Sequence, residues 1–494
     1  MGYMNLSIDE IKDALKSNKT TPTELTKEAL ELGKKYQEKL NLFVTITEKE
    51  ALEKAKSLNS DINSPLYGIP FGLKDNFSTK DVLTTASSNI LKDYVPFFDA
   101  TVTKKLNDAG AIYIGKTVLD ELAMGATSTT GHTGMVKNPW DENRLIGGSS
   151  GGSAACVAAG VVPFAIGSDT GDSVRKPAAY GGIVGFKPTW GRISRYGLFP
   201  FACSLDHVAL FSRSVKDAAI VTDAIKGKDE KDMTTLPDEG FSYADKLDGN
   251  VTGKKLFYIK ELLDRDNYKE DMNEELEMTL NSFDKTIEKC KEAGLIVDEV
   301  SFPMELLEAI FPTYFTISCA EATSNNSNLT GIIFGPRGNG NSIDEIMFDA
   351  RTKGFSELIK RRFVIGSFVL QKENQERLFL NAQRIRRMIV DKMNELFKEY
   401  DGLILPCSGG PAPFMESENI DRLGFKSLVL ENHLAIGNFG GYPSITIPSD
   451  LINELPIGIN ITGPAFKDLD VLNVAYAIEE KLGMKGIVAK GGNR

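Results

Sequence analysis

The chain has 494 residues, 41% of them hydrophobic and 25% charged, which is ordinary for a soluble globular protein with a large core. A formal net charge of −11 argues against a chain that grips nucleic acid by itself, so any nucleic acid would have to be held mainly by another protein. Five scattered cysteines (Cys156, Cys203, Cys290, Cys319, Cys407) without a CxxC pair predict a reducing, cytoplasmic setting and no metal site, and neither a signal-peptide layout nor a run of 18 apolar residues predicts membrane insertion.

In chain order, Ser7-Ile-Asp-Glu10 predicts a capping box opening a helix to about Ser17, and Thr21-Pro-Thr-Glu24 another, with Pro22 at the first helical position. A strand over Leu42–Thr47 and a helix over Lys49–Leu58 follow. Tyr67–Asn76 reads as an apolar turn carrying Lys74 beside an Asp-Asn pair. A helix is expected over Ala100–Ala109 and a short buried strand over Ala111–Gly115. Farther on, Lys226–Asp248 is polar and predicts a surface loop. Leu256–Ile259 and Ile296–Phe302 read as strands around a helix at Glu274–Gly294. Gly335–Asn341 reads as a loop, Gly354–Gln371 and Asn374–Glu399 as helices with mixed charged faces, and Leu403–Pro406 as a strand. Gly410–Ile420 should be loop, and Pro443–Pro448 with Pro456–Thr462 a strand pair, before a last helix at Leu469–Leu482.

Between Arg144 and Arg195 lie two glycine-serine loops, Gly147–Ser153 and Gly167–Ser173. The alanine-rich run between them suits a short buried helix, Ala154–Gly160, and a buried strand, Val161–Ile166. Such loops also serve simply to let backbone pass where side chains cannot, and neither has the spacing of a nucleotide-binding motif. Together, however, they offer three serines: Ser149, Ser150 and Ser173. The three histidines (His132, His207, His433) sit in no GxSxG elbow, so a Ser-His-Asp triad has little support. Lysine is the other side chain that can activate a serine, once its pKa is lowered.

GIPFGLKDN, GGSSGGSAA and GSDTGDSVRKPAAYGGIVGFKPTWGRISRYG, with Lys74 and Ser149 75 positions apart and Ser149 and Ser173 24 apart, together resemble the amidase signature family. The resemblance runs from about residue 5 to about residue 480. It implies one α/β domain over 1–494: N-terminal helices in 7–60, a signature core at about 65–215, and a remainder completing a mixed central sheet flanked by helices on both faces. It also implies Ser173 as nucleophile, Ser149 as a bridging serine in a cis peptide, Lys74 as base, and the backbone N–H groups of Thr170, Gly171, Asp172 and Ser173 as oxyanion hole, with no metal or organic cofactor in this chain.

Within the family, FKPTWGRISRYGLFPFACSLDH, PTYFTISCAEATSNNSN and RTKGFSELIKRRFVIGSFVL are similar to the A subunits of tRNA-dependent amidotransferases. That likeness implies glutamine as ammonia source, B and C partner subunits, ATP and Mg used by the B subunit, and a misacylated tRNA held mainly there. It assigns Tyr314, Arg362 and Glu431 to glutamine and Gly125 and Thr127 to the pocket wall. Asp172 departs from the family's glycine; if that position needs a positive φ the aspartate is costly, and its charge must turn away or pair, with Arg175 the available cation. The alternatives are a free-standing amidase on small amides and a non-catalytic scaffold subunit.

Overall fold

The structure, a computed structural model, describes residues 2–58, 61–269, 272–415 and 429–489. Among these, eleven strands form one mixed sheet flanked by helices: β1 Phe43–Ile46, β2 Pro70–Lys74, β3 Ile112–Thr117, β4 Phe164–Asp169, β5 Val184–Lys187, β6 His207–Ser212, β7 Lys255–Ile259, β8 Ile296–Val300, β9 Gly402–Pro406, β10 Ser444–Ile452 and β11 Leu455–Thr462. Their order is β1-β3-β2-β4-β6-β5-β10-β11-β9-β7-β8. β2 lies between β3 and β4, parallel to both, whereas β4 meets β6 and β10 meets β11 antiparallel. Every residue of β2, β4, β5 and β6 is buried, the condition under which strands lose their apolar-polar alternation. The outermost strand β8 instead presents Asp298 and Glu299 along a half-exposed edge, which discourages pairing with another chain.

Local chemistry explains most element starts. The Ser7 hydroxyl caps Ile8–Lys16 and Glu10 reciprocates, a full capping box, while Thr21 caps Pro22–Leu40 with the proline in its first turn. The sequence-predicted strands at Leu256, Ile296, Leu403, Pro443 and Pro456 and the helices at Ala100, Glu274 and Leu469 all form, with ends shifted by a residue or two except that the strand from Ser444 runs on to Ile452, four residues past Pro448.

Five expectations change. Pro70–Lys74 is a fully buried strand rather than a turn, because β3 and β4 supply both its ladders. The helix expected from Ala154 already begins at Gly151, and the strand expected over Val161–Ile166 is Phe164–Asp169, so the second glycine-serine loop is strand as far as Asp169. Lys226–Asp248 contains a short helix, Tyr243–Lys246, with Tyr243 wholly buried. The helix expected over Asn374–Glu399 is interrupted by a π turn at Glu376–Leu380. Of the loop expected over Gly410–Ile420, residues 416–420 lie outside the described residues.

The helix Gly151–Ala158 is buried at every position and sits against the sheet under the site. Small residues permit this approach: a Cβ on Gly152 would stand 2.6 Å from the Leu42 carbonyl and from both backbone polar atoms of Val118. Those atoms belong to backbone and cannot swing aside. Gly152→Ala should therefore destabilise the fold by about 1–3 kcal/mol, read as a lower urea midpoint at unchanged slope.

Candidate active site

Three parallel strands end side by side, and the segments that follow β2, β3 and β4 converge there, as ligand sites do at the carboxyl ends of parallel strands. Lys74 is the last residue of β2 and is fully buried. Its Nζ lies 2.9 Å from Ser149 Oγ, 2.8 Å from Ser150 Oγ and 2.9 Å from Ser168 Oγ, with the Ser168 carbonyl at 3.3 Å. Asn76 donates to Ser168 Oγ at 3.0 Å and Ser150 Oγ donates to the Ser168 carbonyl at 3.0 Å. No carboxylate touches the amine among the described residues. Burial lowers its pKa to about 7, against the opposing pull of Asp120, Asp169 and Asp206 farther off. An amine near neutrality beside a serine hydroxyl is a general base in waiting.

Ser149 is held from its backbone side. The Gly148–Ser149 peptide is cis, and the Ser149 carbonyl accepts from Asp120 N at 3.1 Å. The buried Asp120 carboxylate in turn gathers the N–H groups of Thr127, Ser128, Thr129 and Thr130 and the Thr130 hydroxyl. Ser128 Oγ then accepts from Gly151 N at 3.0 Å. Thr127 thus serves as part of this cradle and does not line the cavity described below, whereas Gly125 does.

The loop Thr170–Ser173 hangs from a buried ion pair. Arg175 donates to both Asp169 oxygens (3.1 and 2.9 Å), to the Gly171 carbonyl (2.7 Å), to Asn438 Oδ1 (2.6 Å) and to the Leu434 carbonyl (2.7 Å). Burial pushes the Asp169 carboxyl up, but the Arg175 guanidinium, Lys187 and the Val174 N–H outweigh it and hold the pKa well below the usual range. Thr170 Oγ1 donates to Asp206 at 2.7 Å, whose own carboxyl burial raises to about 6. The N–H groups of residues 170–173 donate to no acceptor among the described residues. Ser173 is 4% exposed, and its carbonyl accepts from Ser150 N at 3.2 Å. Its hydroxyl makes no hydrogen bond to Ser149 Oγ in this structure.

Above the loop lies a cavity of about 450 Å³ lined by Gly125, Ala126, Gly171, Asp172, Tyr314, Arg361, Arg362, Asn432, Ala435 and apolar residues of the helices Ile310–Asn325 and Glu357–Leu370. Tyr314 packs on Gly171 so closely that a Cβ there would stand 2.8 Å from its ring. Arg362 stacks 5.2 Å from Phe315 and 5.7 Å from Phe201, leaving its buried Nη1 without an acceptor. The structure thus brings Gly125, Tyr314 and Arg362 to one cavity beside the serines. Glu431 is not in its wall: its carboxylate accepts from Lys176 Nζ at 3.0 Å and from Gly409 N at 2.8 Å. Asp172 has no positive φ, and its carboxylate lies 3.4 Å from Lys176, because the Arg175 guanidinium is spent on Asp169, Gly171 and Asn438.

Sequence reading missed Asp120, Asn438, Asp206 and the Asn76–Ser168 pair. Asp169 stands within the GSDTGDS motif and is legible as a neighbour of the loop; Asp120 and Asp206 hold N–H groups close by in the chain but carry no motif that marks them, and Asn438 and the Asn76–Ser168 pair have partners many residues away. Removing the guanidinium in Arg175→Ala leaves Asp169 buried and unpaired, so a loss of about 3–5 kcal/mol of stability is expected in urea unfolding, and Arg175→Lys should recover only a minor part of it.

An amidase family model matches residues 24–472 of this chain. The A subunit of the glutamyl-tRNA(Gln) amidotransferase of Streptococcus pneumoniae (serotype 19F, strain G54) is 38% identical over 484 residues, covering 97% of this chain and 96% of the relative. Among solved structures, the A subunit of the glutamyl-tRNA(Gln) amidotransferase of Thermotoga maritima matches with a TM-score of 0.79 and 33% identity over 97% of this chain and 95% of that one. The peptide amidase of Stenotrophomonas maltophilia matches with a TM-score of 0.80 and 26% identity over 97% of each.

Proposed function

This chain belongs to the amidase family, and we propose that within it the chain is the glutaminase subunit of a tRNA-dependent amidotransferase. It hydrolyses glutamine and hands the ammonia on for conversion of Glu-tRNA(Gln) or Asp-tRNA(Asn) to the amidated form. The observation that carries the chemistry is a buried, near-neutral Lys74 in contact with Ser149, with Ser173 on the loop that covers them.

The steps follow from the atoms. Ser173 Oγ attacks the side-chain amide carbon of glutamine while its proton passes to Ser149 Oγ and the proton of Ser149 passes to the Lys74 amine. The link from Ser173 to Ser149 closes with substrate in place, as catalytic hydrogen bonds commonly tighten in the reactive complex. The unspent N–H groups of Thr170, Gly171, Asp172 and Ser173 receive the developing oxyanion, each such donor contributing roughly 3 kcal/mol. The relay then runs in reverse to protonate the departing ammonia, and water releases glutamate from the acyl-serine by the same path. Tyr314 and Arg362 hold the substrate, the guanidinium offering its free nitrogen to the α-carboxylate. B and C subunits complete the complex, the B subunit using ATP and Mg and holding the misacylated tRNA, in keeping with the negative charge of this chain. No helix among the described residues is long and apolar enough to cross a membrane.

A free-standing amidase is the second reading, supported by the likeness to the peptide amidase. Asp172 is the ground for a non-catalytic scaffold, and its unstrained backbone and contact with Lys176 speak for an active site instead.

Ammonia release from glutamine should fall at least 10³-fold in Ser173→Ala, with the urea midpoint unchanged, and should rise when the partner subunits and charged tRNA are supplied. Release from simple amides but not from glutamine would move the assignment to the free-standing amidase. Because Lys74 acts only as the neutral amine, kcat/KM should climb with pH through about 7 as one proton is lost and level off above pH 8. A profile flat from pH 6 to 8 would remove Lys74 from the role of base.

A further inference from the structure

Charges of both signs line the cavity: Arg361 and Arg362 are its cations and Asp172 its carboxylate. Arg362 carries a buried Nη1 that lacks an acceptor. Behind Asp172 stands Lys176, buried and shared with a second carboxylate, Glu431. Lys176 gives Glu431 its shorter contacts, 3.0 Å to the carboxylate and a close one to the Glu431 carbonyl, and keeps 3.4 Å from Asp172. Asp172 accepts no backbone or hydroxyl hydrogen bond among the described residues, so its lone pairs are unspent on the cavity side. Asp172 is the acidic residue of the cavity wall, a group that a substrate cation can pair with.

We propose that Asp172 is the specificity-determining residue for the substrate's ammonium, so that the site reads an α-amino acid amide as a zwitterion held between Asp172 and Arg362. Glu431, the residue expected from sequence, acts through Lys176: it draws the lysine back and leaves the Asp172 carboxylate free for substrate. This rests on the glutaminase reading and goes beyond it by naming the recognition group.

The test compares ammonia release from glutamine and from glutaramate, which is glutamine with hydrogen in place of the ammonium, and from 4-aminobutanamide and butanamide, the same pair without the carboxylate. The full-length parent should prefer the amine-bearing member of each pair by about 10- to 100-fold in kcat/KM, the range for a hydrogen bond between charged groups. Asp172→Asn, which keeps the shape and removes the charge, should collapse both preferences to below about 3-fold. A parent without either preference overturns the proposal, whether or not Asp172→Asn folds. So does an Asp172→Asn enzyme that keeps both, or a Glu431→Gln enzyme that loses both while Asp172→Asn does not. Failure of the glutaminase reading has a separate signature: no turnover of glutamine or glutaramate by the parent, with 4-aminobutanamide still preferred over butanamide in an Asp172-dependent way.

Discussion

A lysine amine buried with no carboxylate in contact is the constraint to which the rest of the site answers. Burying the charged form is expensive, and Lys74 meets that cost by giving up its proton near neutral pH. The surroundings are arranged so that no acid relieves it. Asp120 spends its oxygens on four backbone N–H groups and a hydroxyl, Asp169 on Arg175, Val174 and Asn438, and Asp206 on Thr170 and the N–H groups of Phe201 and Ala202. Each carboxylate is near enough to moderate the lysine and too occupied to pair with it. The nearby Lys116 shows the contrast: equally buried, it has Asp75 at 3.7 Å and three oxygen acceptors, and its pKa falls less far, to about 8.

The same accounting orients the amine. Ser150 Oγ sends its proton to the Ser168 carbonyl, so towards Lys74 it only accepts, and the amine spends one N–H bond on it. A neutral amine has two N–H bonds and one lone pair. With one bond directed at Ser150, the second N–H and the lone pair remain for Ser149 and Ser168, whose hydroxyls both lie at 2.9 Å.

Much of this architecture is legible in the chain. Caps at Ser7 and Thr21, the strand pair flanking residue 453 and the order of the lysine and serine motifs all rest on local chemistry, and local chemistry survives folding. What sequence does not display is set by distant partners. Pro70–Lys74 carries a proline and a glycine and reads as a turn; it is a strand because β3 and β4 flank it. Asp172 pairs on paper with Arg175, three positions on, because nothing local reveals that Asp169 and Asn438, 263 residues beyond Arg175, claim the guanidinium first. The likeness to A subunits places Glu431 at the substrate, and such a likeness carries no information about the lysine that engages it.

Among the described residues the two largest clusters of buried apolar side chains are separate, and the division has a consequence for how such a protein changes over time. Phe71, Phe164, Ile166 and the helix Gly151–Ala158 belong to one, beneath the lysine and serines; Ile310, Ile317, Ile359 and Phe363, on the two helices that roof the cavity, belong to the other. Alterations in the roof can reshape what is admitted without disturbing the packing that sets the proton path. Selection can therefore retool substrate choice and keep the reaction, one half of the molecule serving as a constant engine and the other as an exchangeable inlet.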